Sequence, residues 1–95
     1  MKVDNFINYL VTEKHYSINT VTAYTIDLRQ FEEYIKEVFD KSEAIDVKSD
    51  MIRDWIVYLK GNKITNRSIN RKIASLRAYF HFLVKREEVE KNPLI

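Results

Sequence analysis

The chain has 95 residues, of which 45% are hydrophobic and 13% aromatic, and it contains no cysteine. A chain of this length forms one small domain that can bury roughly two-thirds of its unfolded surface, and without cysteine it has neither disulfides nor thiolate metal sites. No apolar run reaches the ~20 residues of a membrane span, and Asp4, Asn5 and Asn8 interrupt any signal-peptide core. We therefore expect a cytoplasmic protein with no membrane partner.

Positive charge is concentrated in one segment. The net charge is only +2, but residues 55–86 hold no acidic side chain and all of the following basic ones: Lys60, Lys63, Arg67, Arg71, Lys72, Arg77, Lys85 and Arg86. A surface that serves only solubility mixes both signs. The segment therefore predicts either a solvated helix face or a surface for a polyanion such as nucleic acid.

Apolar residues recur every three or four positions, which predicts an all-α bundle of four helices, and the single glycine and single proline argue against sheets. The first helix is short and fades near His15; its apolar residues are Val3, Phe6, Ile7 and Leu10. The second covers residues 17–39 with Ser17 as N-cap, and its apolar residues are Val21, Tyr24, Leu28, Phe31, Ile35 and Val38.

The third predicted helix opens at Ser49 and closes at Gly61, which we expect in the left-handed conformation; its apolar residues are Ile52, Trp55, Ile56 and Leu59. The fourth covers residues 65–86 and opens near Thr65; its apolar residues are Ile69, Ile73, Leu76, Phe80 and Leu83. Asn92-Pro93 ends the structured part, because a residue before proline is disfavoured in helical geometry. Short polar connections predict a compact bundle with the two long helices as its central pair.

The sequence lacks the motifs of common catalytic and metal sites. His15 and His81 lie far apart, Gly61 alone cannot form a phosphate-binding loop, and the acidic residues form no evident catalytic pair. We expect no metal, no cofactor and no catalytic residue in this chain.

The two long helices begin without the acidic residues that usually occupy a first helical turn. A helix N-terminus carries unpaired N–H groups and a partial positive charge, which Asp or Glu commonly complements. In the second helix no acid precedes Asp27, and in the fourth none precedes Glu87. Each start is therefore suited to receive a phosphate. The polar candidates at the second helix are Ser17, Asn19, Thr20 and Thr22.

The fourth helix is predicted to turn a polar face outward, opposite its apolar stripe. The candidates on it for DNA contact are Thr65, Arg67, Ser68, Asn70, Arg71, Lys72, Ser75 and Arg77. Arginine and asparagine pair with guanine and adenine edges, lysine and hydroxyl groups suit phosphates, and a helix fits the major groove. We assign Lys72 to phosphate and Arg71 or Asn70 to a base edge. An ordinary basic solvent face is the alternative, but it leaves the missing acids unexplained.

Most aromatic residues lie at or beside apolar stripe positions, so they are expected in the core. Phe82 lies off the main stripe of its helix. With Phe6 and Tyr9 it could form an apolar patch for a neighbouring subunit, and a wide core face is the other explanation.

Two ordered groups of residues resemble the amino-terminal region of tyrosine recombinases of the phage-integrase and Xer type. The first reads Phe6-x-x-Tyr9-Leu10, Glu13-Lys14 and Ser17-x-x-Thr20-x-x-Ala23-Tyr24-x-x-Asp27-Leu28-x-x-Phe31. The second reads Ser68-Ile69-Asn70-Arg71-Lys72-Ile73-x-x-Leu76-Arg77-x-Tyr79-Phe80-x-Phe82-Leu83, followed by Asn92-Pro93-Leu94. The resemblance covers nearly the whole chain.

The resemblance implies a SAM-like core-binding domain of four or five helices over residues 1–91, with residues 92–95 starting a linker to a separate catalytic domain. It implies that the second and fourth helices approach double-stranded DNA. It also implies that the first helix, with Phe6 and Tyr9, contacts another protomer of a DNA-bound tetramer. The family's catalytic Arg, His-x-x-Arg and Tyr belong to the catalytic domain, and neither His15 nor His81 is followed by Arg three residues on.

Two other functions stay open at this point. One is a helical protein-interaction module whose basic face meets an acidic partner. The other is a free-standing DNA-binding regulator, which would need a dimer interface to bind two half-sites. For a recombinase domain we expect the isolated chain to be monomeric.

Overall fold

The computed structural model describes residues 1–94, which form four α-helices and one short 3-10 helix. The α-helices are α1 (Asp4–Thr12), α2 (Ile18–Phe39), α3 (Ser49–Gly61) and α4 (Asn66–Lys85), and the 3-10 helix covers Ala44–Asp46 between α2 and α3. No β-strand occurs within these 94 residues. The all-α prediction is confirmed, and α2 and α4 are the longest helices, with 22 and 20 residues.

The two long helices begin at the caps that the sequence predicts. Ser17 Oγ accepts a hydrogen bond from the backbone N–H of Thr20 at 3.2 Å. Thr65 Oγ1 accepts one from the backbone N–H of Ser68, also at 3.2 Å. Each cap satisfies an N–H group that has no partner inside the helix and stabilises it by about 1 kcal/mol.

The helix ends differ from the prediction at two places. Gly61 is the last residue of α3 and has no positive φ; the left-handed residue is Lys63, with φ 61°. The chain turns two residues later than expected, because Ile64 N–H donates to Leu59 O at 3.1 Å. The first helix ends at Thr12, and His15 beyond it has φ 54°.

The core lies around α2, which packs against each of the other three helices and most extensively against α4. Leu28, Phe31 and Ile35 of α2 are fully buried, and the Phe31 ring meets the Trp55 ring of α3 with centroids 5.0 Å apart. Truncating either aromatic would cost roughly 3–5 kcal/mol. Val38 was predicted inward but is 54% exposed, because the buried face of α2 continues from Ile35 to Phe39, which packs against the core, and Val38 lies beside that face.

The residues after α4 fold back onto the bundle. Ser49 Oγ donates to Pro93 O at 2.8 Å, and Asn92 Nδ2 donates to Arg77 O at 3.4 Å. Leu94 packs against the core cluster. The division of the chain at residue 91 remains a prediction.

Over residues 1–94, no helix combines the length and the apolar character that crossing a bilayer requires.

Candidate nucleic-acid interface

The start of α2 is an exposed turn of small polar residues. Ser17, Asn19 and Thr22 are exposed, and Thr20 is half-buried. The hydroxyl oxygens of Ser17 and Thr20 lie 3.0 Å apart, while Thr22 Oγ1 donates to Ile18 O at 2.8 Å. The first turn contains no acidic residue. The backbone N–H groups there are thus offered to solvent without a competing carboxylate.

The start of α4 has the same construction and adds charge. Thr65, Arg67 and Asn70 are exposed, and the half-buried Ser68 accepts a hydrogen bond from Thr65 Oγ1 at 3.2 Å. Its first turn also contains no acidic residue. Further along, Arg77 is exposed too. Within residues 1–94, neither Arg67 nor Arg77 forms a salt bridge.

Two residues expected on the outward face of α4, Lys72 and Ser75, instead turn towards α2. Lys72 is 6% exposed and Ser75 is 0% exposed, so their predicted outward orientation is wrong. Both surround the buried carboxylate of Asp27 together with Arg71. Arg71 differs from the other two because about half of its side chain, 47%, remains exposed. Lys72 therefore has no surface with which to contact a phosphate, contrary to its assignment.

The carboxylate of Asp27 accepts four hydrogen bonds. Arg71 donates from Nε to Oδ2 at 3.1 Å and from Nη2 to Oδ1 at 2.8 Å. Lys72 Nζ donates to Oδ1 at 3.1 Å, and Ser75 Oγ donates to Oδ2 at 2.7 Å. Lys72 Nζ also donates to Gln30 Oε1. The network joins α2 to α4 in the interior of the domain.

These hydrogen bonds keep Asp27 ionised although it is buried. Burial alone would raise the pKa of Asp27, but hydrogen bonds from Arg71, Ser75 and Lys72, with the positive charge of Lys72, lower it below its usual range. The hydrogen bonds to Asp27 raise the pKa of Arg71, which stays positively charged. The network thus carries one negative and two positive charges.

Helical spacing explains why Lys72 and Ser75 face inward. Lys72 follows Ile69 by three residues and precedes Leu76 by four, so it lies on the same face as those two core residues. Asp27 likewise lies among the apolar positions of α2, between the buried Val21 and Phe31. An acid on one apolar stripe and a base on another is the sequence signal that could have indicated a buried pair.

The expected patch of Phe6, Tyr9 and Phe82 lies mostly in the core. Phe6 is 1% and Phe82 8% exposed, with their ring centroids 5.4 Å apart. The expectation that Phe6 offers a surface to a neighbouring subunit is therefore wrong, and the wide core face is confirmed for Phe6 and Phe82. Tyr9 is half-buried against Phe82, with centroids 5.0 Å apart, and lines a groove of about 340 Å³ between α1 and α4. A protomer contact at Tyr9 remains a prediction.

The buried tyrosine Tyr79 has a structural role. Its hydroxyl donates to Lys2 O at 3.1 Å, joining α4 to the residues before α1. Burial, with the nearby charges of Glu88, Glu32 and Glu43, raises the pKa of Tyr79 to about 12. Its hydroxyl is protonated at neutral pH.

Comparison with known proteins identifies the family. Residues 3–87 match the family model described as the N-terminal SAM-like domain of phage integrase. Tyrosine recombinase XerD of Rickettsia bellii is 33% identical over 93 residues, which cover 98% of this chain and 30% of the relative. Tyrosine recombinase XerC of Leptospira interrogans is 39% identical over 89 residues, which cover 93% of this chain and 28% of the relative. No solved structure was found to match.

The chain spans about three-tenths of the length of these recombinases. The family match takes in α1 to α4 entirely, and it confirms the resemblance first seen in the sequence motifs. The chain belongs to the family of N-terminal SAM-like domains of phage integrases.

Proposed function

We propose that the chain binds double-stranded DNA as the amino-terminal clamp domain of a site-specific tyrosine recombinase. The observation that carries the proposal is the construction of α2 and α4. Both helices begin with an exposed, side-chain-capped turn without acidic residues, and α4 adds the exposed Arg67 beside its first turn. The family membership supports it, because the similar proteins are named tyrosine recombinases.

The two helix starts are suited to hold phosphates. Unpaired backbone N–H groups and the positive end of the helix dipole attract an anion, and neighbouring hydroxyls add donors. The residues proposed for phosphate contacts are Ser17, Asn19, Thr20, Thr22, Thr65 and Ser68. Such contacts fix the position and register of the domain on the duplex without reading its sequence.

Three exposed side chains of α4 are suited to read bases or to add charge. Arg67 and Asn70 are exposed near the start of the helix, and Arg71 keeps half of its side chain exposed one position later. Arginine forms a pair of hydrogen bonds with O6 and N7 of guanine, and asparagine forms a pair with N6 and N7 of adenine. Arg77, about two turns further on, supplies positive charge for the backbone. Lys72 and Ser75 act behind this surface, through Asp27.

The remaining tasks of recombination belong to other parts of the assembly. In this proposal a separate catalytic domain supplies the nucleophilic tyrosine. This chain binds the duplex and reads part of its sequence in the cytoplasm. Other protomers approach the groove beside Tyr9 only when DNA aligns them, so the isolated chain is monomeric. No cofactor is required of this domain.

The salt dependence of binding to duplex DNA tests the proposal. In fluorescence anisotropy, the logarithm of the association constant should fall linearly with the logarithm of salt concentration between about 50 and about 200 mM, since each phosphate contact contributes about −0.9 to the slope. Arg67→Ala should reduce the slope by about one if Arg67 meets a phosphate, or relax discrimination at one base pair if it reads a base.

Lys41→Ala is the charge-matched control. It also removes one positive charge, but it follows the end of α2 and lies outside the first turns of both α2 and α4. This variant should bind as the parent does. Affinity for duplex DNA that does not change with salt would contradict the proposal.

A further inference from the structure

Asp27 holds the guanidinium of Arg71 along one of its edges. The two hydrogen bonds run from Nε to Oδ2 and from Nη2 to Oδ1, at 3.1 and 2.8 Å. A guanidinium is planar, so two parallel hydrogen bonds to one carboxylate fix its plane as well as its position. Asp27 is itself 0% exposed, and further hydrogen bonds from Lys72 and Ser75 hold its carboxylate in place.

We propose that Asp27 is a positioning residue that presents Arg71 to a base edge in the major groove. This inference rests on the proposed function. The carboxylate occupies the Nε–Nη2 edge of the guanidinium, so the Nη1–Nη2 edge remains available, and the side chain is 47% exposed. That free edge matches a pair of acceptors such as O6 and N7 of guanine. Because the side chain is held in place before DNA arrives, binding does not have to restrict its rotamers.

The negative charge of Asp27 separates a positioning role from a purely electrostatic one, because the two predict different effects on DNA binding. Asp27 is an anion close to a surface that would meet DNA, so its Coulomb effect alone opposes binding. Removing its charge would then tighten binding to every sequence alike. If Asp27 positions Arg71, removing the charge instead weakens discrimination at one base pair.

The test compares two variants that both lack the buried lysine. Lys72→Met is the reference, and Asp27→Asn/Lys72→Met differs from it only at Asp27. Asparagine has one acceptor oxygen and an NH₂ group in place of the other, so it cannot form the two parallel hydrogen bonds in which Nε and Nη2 of Arg71 donate to separate oxygens. Because neither variant leaves Lys72 charged and unpaired, a change in DNA binding between them reports on the contact with Arg71.

The probe is the duplex that the wild-type chain selects from a library with a randomised centre. The base pair that Arg71 reads is the one at which Arg71→Ala loses discrimination. There, Asp27→Asn/Lys72→Met should discriminate about 5- to 150-fold less than Lys72→Met, the range expected for a lost paired contact. Discrimination at the other positions should be equal in the two variants. In an Arg71→Ala/Lys72→Met background, Asp27→Asn should cause no further loss at that base pair.

Arg71 can also be observed directly in the unmodified chain. In NMR, its Nε–H proton should exchange slowly with water in the free chain, because it is hydrogen-bonded to Asp27. Rapid exchange of this proton would overturn the inference without any variant. Equal discrimination by Asp27→Asn/Lys72→Met and Lys72→Met would also overturn the inference, as would tighter binding of the double variant to all sequences alike. Both results leave the proposed function intact. Absence of salt-dependent DNA binding by the wild type would overturn both.

Discussion

Replacing Asp27 with asparagine should destabilise the domain severely. The substitution keeps the size of the side chain, so it opens no cavity, but it removes the charge and replaces one acceptor oxygen with an NH₂ group. Lys72, whose side chain is 7% exposed, would then lose the carboxylate that balances its charge in the interior and would keep Gln30 as its hydrogen-bond partner. Breaking a buried ion pair by removing one partner costs roughly 3–5 kcal/mol. Arg71 contributes less to this loss, because its half-exposed guanidinium can be hydrated again.

This loss is large for a domain of 95 residues, whose total stability is expected to be roughly 5–14 kcal/mol. Urea denaturation followed by the fluorescence of the buried Trp55 gives the free energy of unfolding. Glu37→Gln, an exposed acid on the same helix, is the control and should change stability by less than about 0.5 kcal/mol. Adding Lys72→Met to Asp27→Asn should restore part of the loss, because it removes the unpaired charge. A change below about 1 kcal/mol for Asp27→Asn would refute the reasoning.

Three further predictions concern the helix ends and pH. Ser17→Ala and Thr65→Ala should each lower the free energy of unfolding by about 1 kcal/mol in urea denaturation, because each removes an N-cap. If neither substitution lowers the free energy of unfolding, the observed caps do not stabilise their helices. Gly61→Ala should stabilise the domain by up to about 1 kcal/mol, since Gly61 is helical, has no positive φ and has nothing within 4 Å of the added Cβ. Lys63→Gly should also stabilise the domain, because glycine adopts the left-handed conformation without strain. Thermal melts measure both changes, and a lower melting temperature would contradict the prediction for that variant. The folded-state pKa of Asp27 lies below its unfolded value of about 3.9, so ionised Asp27 stabilises the domain above that pH, and this contribution is lost as the pH falls through the folded pKa. The difference in the free energy of unfolding between the wild type and Asp27→Asn should therefore narrow on acidification. A difference that stays constant with pH would contradict this.

The helices and their caps could be predicted because their signals are local. The spacing of apolar residues determines which face of a helix is buried, and a hydroxyl at the N-cap acts within three residues of itself. Ser17 and Thr65 therefore appear in the structure as the sequence predicts. The left-handed residue after α3 was missed, because glycine is only the commonest choice for that conformation and Lys63 adopts it here.

The orientation of the polar residues of α4 could be predicted only in part. Arg67 and Asn70 are exposed as expected, but Lys72 and Ser75 are buried against a residue 45 and 48 positions away in the chain. Charge alone suggests exposure, and only the partner on another helix reverses that expectation. The expected protomer contact at Phe6 was wrong for a related reason, because the Phe6 side chain of α1 packs against Phe82 of α4 in the core.

An NMR titration of the ¹⁵N-labelled chain with duplex DNA tests the central claim most directly. If the starts of α2 and α4 hold phosphates, the largest amide shifts should fall in residues 17–22 and 65–70. The amides around Lys41, at the far end of α2, should shift little. Shifts concentrated in the groove beside Tyr9, or their absence at both helix starts while the chain binds DNA, would contradict the account.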